Sequence, residues 1–321
     1  MPTVRVAVYD LGSTSFHLMV VDAGRDGTLE PVLRRRSFLH LGAEVARTGS
    51  VGSERLAAAV RALRRLHAAA AAAGPDVTVA LATAALRDSA NGKSVLRRFE
   101  EVLEVPIRLL DGGEEARLCF VGQRAGVWTE RGRPVIGLDL GGGSLEACVG
   151  DATEMRAAVS VPIGTARMAE ELDLSDPPTP RQVRKLARTT ASRLGPVRAL
   201  VDGEPEARHR ALASGGTVRA LARLAMGLHR PAPAGGELQV NQVELPTGQL
   251  HQLTDRLVSL DLAGRLALPG VQQRRAALLP AGAVILSALV DELGLERLVV
   301  SDWGLREGAV LDALRPVTTR G

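Results

Sequence analysis

The sequence contains few aromatic residues and almost no lysine. Phenylalanine, tyrosine and tryptophan make up 2% of its 321 residues, so a hydrophobic core has to be built mainly from alanine, valine and leucine. Lys93 and Lys185 are the only lysines among 40 basic residues, and the basic residues are not interleaved with aromatic ones. Proteins that bind single-stranded nucleic acids commonly combine aromatic platforms with basic grooves. With a formal net charge of only +4, the composition therefore predicts no nucleic-acid partner.

Cysteines and long apolar runs are equally scarce. Cys119 and Cys148 both lie inside apolar stretches, which argues against a disulfide framework and favours a reducing compartment. The longest apolar runs, such as residues 283–290, are too short to cross a bilayer. The first residues lack a charged region followed by an apolar one. We therefore expect a cytoplasmic protein without a secretory or membrane-spanning segment.

The length of the chain and the order of its patterns indicate two α/β domains. A chain of 321 residues exceeds the size at which single cores usually stop growing. Ser53 is expected to cap a long alanine-rich helix that stops at Gly74 and Pro75. In the first half, apolar patterning predicts strands at 4–10, 16–23, 30–42 and 76–86. In the second half, it predicts a hairpin at 135–150, a strand at 155–161 and a loop at 231–237.

An internal repeat is the most informative feature of the sequence. After a polar junction at 129–135, residues 135–150 repeat the pattern of residues 6–21 at a constant offset of 129 positions. Asp10 matches Asp139, and the Leu, Gly and Ser that follow match as well. One copy in each half of the chain predicts duplicated domains, although two similar strand–turn–strand units could also arise by chance.

Two familiar nucleotide-binding loops are excluded by the residues around the glycines. A dinucleotide-binding loop has to open a helix, but the glycines at 141–143 are followed by the alternating pattern of a strand. A P-loop needs a glycine five positions before its Gly-Lys pair, and in this chain Arg87 stands there. Both repeats are therefore predicted to be strand–turn–strand units.

The register of these hairpins places charged side chains opposite one another. If residues 141–144 form the turn, Asp139 faces Glu146, and the same arithmetic sets Asp10 opposite His17. Directly opposed side chains lie about 5 Å apart at Cβ, where two carboxylates repel unless a cation or a shared proton intervenes. Mg²⁺ is the obvious cation because it prefers carboxylate, water and phosphate oxygens. The alternative is a solvated pair at the mouth of the loop.

The turns themselves favour anions. Their glycines expose backbone N–H groups, which form anion-binding nests, and the hydroxyl groups of Ser13, Thr14, Ser15 and Ser144 add further donors. A third candidate is Ser214-Gly215-Gly216-Thr217, which enters a predicted helix at its anion-binding end. Gly-Gly-Thr before a helix is also ordinary capping, so this alternative stays open.

Five motifs follow one another along the chain. They are DLGSTSFHLMV (10–20), ATAALRDSANG (82–92), DGGEEARL (111–118), LDLGGGSLE (138–146) and SGGTVRAL (214–221). Taken together and in this order, they resemble the motifs of the exopolyphosphatase / guanosine pentaphosphate phosphohydrolase family. This family belongs to the actin, sugar kinase and heat-shock ATPase superfamily. The segment SDWGLREGAVL (301–311) is similar to the tail of its short, two-domain members of actinobacterial type.

The resemblance implies a fold of two actin-like, ribonuclease H-like domains, each with a mixed β-sheet flanked by helices. The expected limits are 1–127 with 302–321 for the first domain and 128–301 for the second. The resemblance also implies an active site in the cleft between the domains, a last helix that packs on the first domain, and a homodimer.

The resemblance assigns roles to individual residues. Glu115 of the EEAR motif maps onto the family's catalytic base, and Asp10, Asp139 and Glu146 map onto acids that hold Mg²⁺ or position water. Glu114 has the spacing of a capping box with Asp111 and is expected to cap a helix, and His17 is expected to be structural. The residues expected to contact phosphate are Gly12, Ser13, Thr14, Ser15, Arg87, Gly141, Gly142, Gly143, Ser144, Ser214, Gly215 and Gly216.

The chain departs from the family pattern at two positions. Thr14 stands where the family usually has asparagine, so a side-chain amide is missing from the first loop. Gly113 stands where the family often has an acid.

The function implied by the resemblance is Mg²⁺-dependent release of terminal phosphate from inorganic polyphosphate. Three alternatives remain at this point: hydrolysis of guanosine pentaphosphate, an ATP-dependent kinase or ATPase of the superfamily, and a regulator that binds polyphosphate or a guanosine alarmone without turnover. The EEAR and ALRDSAN motifs argue against the kinase or ATPase. No membrane or nucleic-acid partner is expected.

Overall fold

The computed structural model describes residues 3–227 and 239–315 and divides the chain into two compact units. The first unit comprises Met1–Ala125 and Gly304–Gly321, and the second comprises Gly126–Trp303. The domain limits expected from the sequence lie within two residues of these limits and stay a prediction. The loop expected at 231–237 lies outside the described residues.

The strands and helices of the described residues are numbered in chain order. The strands are β1 (Val4–Leu11), β2 (Ser15–Ala23), β3 (Leu29–Phe38), β4 (Val77–Ala82), β5 (Ile107–Leu109), β6 (Val135–Leu140), β7 (Leu145–Gly150), β8 (Met155–Val161), β9 (Ala211–Ser214), β10 (Glu244–Pro246) and β11 (Arg297–Val300). The α-helices are α1 (Leu41–Thr48), α2 (Ser53–Ala73), α3 (Ala84–Arg87), α4 (Gly92–Leu103), α5 (Gly112–Gly126), α6 (Thr165–Glu171), α7 (Pro180–Arg193), α8 (Gly195–Asp202), α9 (Gly216–Gly227), α10 (Thr247–Ser259), α11 (Leu262–Leu266), α12 (Gln273–Ala276), α13 (Leu279–Leu293) and α14 (Leu305–Ala313). A 3₁₀ helix covers Pro205–His209.

The two sheets share one topology. The first sheet has the order β3-β2-β1-β4-β5, and the second has the order β10-β11-β9-β6-β7-β8. In the first sheet, β1 is antiparallel to β2 and parallel to β4. In the second sheet, β6 is antiparallel to β7 and parallel to β9 in the same way. Five strand positions therefore repeat, and β10 is added at one edge of the second sheet. The mixed sheets expected from the sequence are confirmed, and the repeat extends well beyond its 16-residue motif.

Apolar residues on both faces of the central strands explain why these strands are buried. On β1, Tyr9 packs in one cluster with residues of α2, whereas Val6 and Val8 pack in another with residues of α5 and α14. Burial raises the pKa of Tyr9 to about 12 because the charged phenolate would lose its hydration. In the second unit, β6 and the almost entirely buried α13 belong to one core. No helix of the described residues is long and apolar enough to cross a membrane.

Three details of the predicted elements are wrong. The strand expected at 30–42 ends at Phe38, because the amides of Leu39 and His40 donate to the carbonyl of Thr14 at 3.0 and 2.9 Å and the chain then enters α1. The strand expected at 76–86 ends at Ala82, where α3 follows after one residue. Ser53 is not the cap of α2.

The residue before α2 is Gly52, which has no side chain to cap the helix, and its own amide is held by another helix. The amide of Gly52 donates to the carboxylate of Glu44 in α1 at 3.2 Å. Sequence patterning missed α1 and other short elements (α3, α6, α8 and β10), because runs of this length carry few periodic positions.

The last helix packs on the sheet of the first unit, as expected. Ala309 and Val310 of α14 share a cluster with Val6 and Val8 of β1. A glycine permits close contact with α5, because a methyl group on Gly308 would lie 1.8 Å from the Leu118 carbonyl oxygen. The guanidinium of Arg117 on α5 donates to both carboxylate oxygens of Asp312 on α14, at 2.8 and 3.0 Å.

We predict that Asp312→Asn destabilises the first unit only above acidic pH. The hydrogen bonds from Arg117 lower the pKa of Asp312, so the carboxylate stabilises the fold fully above the ordinary aspartate pKa and loses this effect as the pH falls through the lowered pKa. Because the pair is partly exposed, we expect a loss of about 1 kcal/mol or less near pH 7. Urea denaturation at pH values from 7 to 3 measures the free energy of unfolding. The difference between the variant and the wild type should become smaller toward acid pH.

Asp255→Asn is the matched control, since Asp255 is exposed on α10. A constant gap between Asp312→Asn and the wild type at all pH values would contradict the ion-pair explanation.

Candidate functional site

The first hairpin has the register expected from the sequence. Asp10 of β1 is paired with His17 of β2, and residues 12–14 form the turn. The turn is held by the segment that leads into α1: the carbonyl of Ser13 accepts the amide of Gly42 at 2.8 Å, and that of Thr14 accepts two amides. The C=O and N–H of one trans peptide point in opposite directions. The amide of Thr14 therefore points away from α1.

The second hairpin also has the expected register, with Asp139 of β6 paired with Glu146 of β7. Its glycine turn is closed by the amide of Gly141, which donates to the carbonyl of Ser144 at 3.0 Å. The carbonyls of the turn are held by α6. Gly141 and Gly142 accept the amides that begin this helix at 3.0 Å, and Gly143 accepts the guanidinium of Arg167 at 2.8 Å.

These bonds decide where the amides of the turn point. With the three carbonyls directed at α6, the amides of Gly142, Gly143 and Ser144 are directed the other way, because each belongs to the same peptide unit as one of those carbonyls. Successive amides on one side of a turn form a nest for an anion. The turn can approach α6 this closely only because Gly164 has no side chain: a methyl group there would lie 2.3 Å from the backbone of Gly142 and Gly143.

The third loop meets the end of β6. Ser214 is paired in register with Asp139 and donates its hydroxyl to that carboxylate. Gly215 has a φ of +104°, and a methyl group there would lie 2.3 Å from the carbonyl oxygen of Leu140. The loop therefore contributes one hydroxyl to the carboxylate pair and then enters α9 at Gly216.

The structure adds an arginine that sequence reasoning missed. A methyl group on Gly216 would lie 2.0 Å from both terminal nitrogens of Arg275, so this guanidinium covers the first residue of α9. Arg275 belongs to the four-residue helix α12, far along the chain from the loop. The second glycine of the Gly215-Gly216 pair was the available signal, because it makes room for a bulky partner.

In the first unit, two adjacent glutamates have separate roles. Glu114 and Asp111 bond reciprocally, carboxylate to amide, at 2.8 and 3.1 Å, so the expected capping role of Glu114 is confirmed. Glu115 is 7% exposed, and its carboxylate accepts the guanidinium of Arg87 at 3.2 Å. Arg87 also donates to the carbonyl of Leu110 at 2.8 Å, which fixes its orientation.

The carboxylates of the second hairpin suit a hard divalent cation. Glu146 is buried, and its carboxylate accepts the hydroxyl of Ser160 at 2.9 Å. Among the described residues, no group of three or more His, Cys, Asp or Glu side chains could hold a metal by itself. Mg²⁺ commonly uses one or two carboxylates together with water and substrate phosphate. Asp139 and Glu146 fit that mode of binding.

A separate cavity lies in the second unit, at the opposite ends of its central strands. Its volume is about 390 Å³, and it opens at the amino ends of β6, β9 and β11, whereas Asp139 and Ser214 lie at the carboxyl ends of β6 and β9. A polyanion in this cavity would meet as many carboxylates as guanidinium groups. These are Arg133, Arg210, Arg297, Glu130, Glu206 and Glu244. The phosphate chemistry is therefore better placed at the glycine loops.

Comparison with known proteins identifies the family. Residues 20–316 match the model of the Ppx/GppA phosphatase family. The chain belongs to this family. Exopolyphosphatase 1 of Mycobacterium tuberculosis is 32% identical over 316 residues, which cover 97% of this chain and 88% of that protein. The resemblance drawn from the five motifs is confirmed.

Solved structures of Ppx/GppA proteins share the fold. The crystal structure of the Aquifex aeolicus family member matches with a TM-score of 0.79 at 26% identity and covers 98% of this chain and all of that one. An exopolyphosphatase from Cytophaga hutchinsonii matches with a TM-score of 0.86 at 22% identity and covers 97% of this chain and 99% of that one. The expected actin-like fold class is confirmed. Ppx/GppA phosphatases use divalent metal ions.

We predict that Gly215→Ala disrupts the third loop. The added methyl group meets the Leu140 carbonyl, and the left-handed backbone disfavours any side chain, so we expect the free energy of unfolding to fall by about 1–3 kcal/mol. Denaturant midpoints measure it. Gly248→Ala on α10 is the matched control, because no atom lies within 4 Å of its added methyl group. Equal midpoints for the two variants would contradict the close contact.

Proposed function

We propose that this Ppx/GppA family member is an exopolyphosphatase that releases orthophosphate from the end of inorganic polyphosphate. The observation that carries the proposal is the glycine turn at 141–143, where amides directed to one side adjoin two opposed carboxylates. Such a turn binds a phosphate, and the carboxylates supply a site for its counter-ion. The exopolyphosphatases among the similar proteins support the same substrate.

Glu115 is the general base of the proposed reaction. Its carboxylate accepts a proton from a water molecule while the water oxygen bonds to the terminal phosphorus. The bond from that phosphorus to the bridging oxygen breaks, and the shortened chain leaves with the electron pair. Arg87 holds the carboxylate at 3.2 Å, and its remaining N–H groups donate to phosphate oxygens, as a guanidinium can serve both partners.

The loops bind the phosphates of the chain. In the first unit, the amide of Thr14 and the hydroxyls of Ser13 and Ser15 are the donors. In the second unit, the amides of the glycine turn and Ser144 are the donors, and Arg275 adds a guanidinium beside Gly216. Ser214 acts through Asp139, to which its hydroxyl is bonded.

Mg²⁺ is the proposed cofactor, with Asp139 and Glu146 as its protein ligands and Asp10 as a further acid of the first loop. When bound, the ion neutralises part of the charge on the phosphate oxygens. The hydroxyl of Ser160 donates to the carboxylate of Glu146 and holds its orientation. The hydroxyl of Ser214 does the same for the carboxylate of Asp139.

We predict that Glu115→Gln lowers kcat by about 10²–10⁴-fold, because glutamine cannot accept the proton. Glu114→Gln is the matched control: Glu114 adjoins Glu115 but caps the helix, so its activity should stay within a few-fold of the wild type. The assay is orthophosphate release from polyphosphates of graded length, guanosine pentaphosphate and ATP, with Mg²⁺ and with a chelator.

Each outcome of this assay decides a specific point. Full activity of Glu115→Gln would remove Glu115 from the role of base. Preference of the wild type for guanosine pentaphosphate would assign that substrate instead. Polyphosphate binding without phosphate release by the wild type would favour a non-catalytic regulator.

We predict that Arg275→Gln raises the KM for polyphosphate roughly tenfold or more, because a charge-assisted hydrogen bond contributes about 1.5–3 kcal/mol. Arg274→Gln is the matched control, since Arg274 is an exposed neighbour with the same charge. Steady-state kinetics of both variants measure the effect. Equal KM values for the two would show that the guanidinium beside Gly216 does not bind substrate.

A further inference from the structure

Three side chains form a chain of hydrogen bonds behind the first loop. Arg306 of α14 lies with a terminal nitrogen 3.0 Å from Nδ1 of His17, and Nε2 of His17 lies 2.7 Å from the hydroxyl oxygen of Ser15. Ser15 is 7% exposed, and the side chain of Arg306 is 17% exposed. The chain thus runs from the last helix of the first unit to a serine of the proposed phosphate loop.

The chemistry of arginine fixes the direction of every bond in this chain. A guanidinium has donors only and stays protonated at any relevant pH. Nδ1 of His17 must therefore accept from Arg306, which requires the neutral ring with its proton on Nε2. That proton is donated to Ser15, so the serine oxygen accepts from the ring, and the hydroxyl hydrogen of Ser15 is directed away from His17.

Comparison of the two repeats indicates that this direction of hydrogen bonding is particular to the first loop. The offset of 129 residues maps Ser15 onto Ser144 and His17 onto Glu146. In the second loop the residue at this position is a carboxylate, which attracts a cation. In the first loop it is an imidazole N–H, and Arg306 also lies 4.0 Å from the carboxylate of Asp10. A guanidinium beside Asp10 offsets part of the negative charge of that carboxylate.

We propose that Arg306 and His17 are positioning residues that make Ser15 a hydrogen-bond donor to a substrate phosphate. The first loop is thereby adapted to bind an anion, whereas the second supplies the carboxylates for a cation. This inference rests on the proposed function for its substrate, but the proton arrangement that it requires can be measured without turnover.

The first experiment is ¹⁵N NMR of the histidine side chains in the full chain at about pH 8, where free histidine is neutral. The chain has six histidines, and the His17 signals are assigned by their loss in His17→Gln. We expect Nε2 to be protonated and Nδ1 to be bare in the wild type, and a mixture of the two neutral tautomers in Arg306→Met. A proton on Nδ1 in the wild type would overturn the proposal whether or not the protein hydrolyses polyphosphate.

The second experiment is a double-mutant cycle on polyphosphate hydrolysis. Ser15→Ala should raise the KM roughly tenfold with a smaller effect on kcat, because it removes a hydrogen bond to a charged phosphate. His17→Leu should raise the KM in the same direction, because the Ser15 hydroxyl is then no longer directed at the phosphate. If His17 acts through Ser15, the double variant should be no worse than Ser15→Ala alone. If the two effects on KM multiply in the double variant, His17 acts independently of Ser15 and the proposal is overturned.

A conservative variant separates positioning from packing. The side-chain amide of glutamine has an acceptor oxygen and a donor nitrogen, and neutral histidine likewise has an acceptor and a donor nitrogen. His17→Gln should therefore reverse a large part of the rise in KM seen in His17→Leu. No recovery, with both variants folded by their NMR spectra, would count against the proposal. A wild type without activity would refute the proposed function and leave the tautomer measurement as the test of the bond chain.

Discussion

The planarity of the peptide bond is the constraint on which the candidate site depends. When the beginning of α6 takes up the carbonyl oxygens of the glycine turn at 141–143, the amides of the same peptide units have to point the other way. The turn thus becomes a phosphate-binding surface through bonds made on its far side. Gly164, which has no side chain, lets α6 approach the turn closely enough to make these bonds.

The duplicated topology gives each unit a similar hairpin, and side chains then differentiate the two. Opposed carboxylates at Asp139 and Glu146 create a local negative charge that suits a cation. The corresponding positions in the first unit carry Asp10 and His17, with Arg306 beside them. One backbone arrangement therefore supports two electrostatic environments, and phosphoryl transfer requires both anion binding and charge neutralisation.

Local patterns in the sequence were sufficient for the central strands and the hairpin registers. Alternating apolar residues located β1, β2, β6 and β7, and the length of each turn fixed which side chains face each other, as with Asp139 and Glu146. The reciprocal bonds of Asp111 and Glu114 followed from their spacing in the same way. These features depend on residues close together in the chain.

Features made by distant residues could not be predicted in this way. The end of β3 depends on amides that reach the carbonyl of Thr14, and the amide of Gly52 before α2 is held by Glu44 of another helix. Arg275 and Arg306 approach their loops from helices far along the chain, and an arginine in an arginine-rich sequence carries no local signal. The roles of the site residues themselves stay predictions.

The placement of α14 has a consequence for the order in which this protein matures during synthesis. The first unit is interrupted by residues 126–303, and Arg306 comes after that insertion. A ribosome has to complete the whole second unit before the side chain that bonds to His17 exists. A nascent chain can thus form β1 and β2 early, but the hydrogen bond from Arg306 to His17 forms only after the whole second unit has been synthesised.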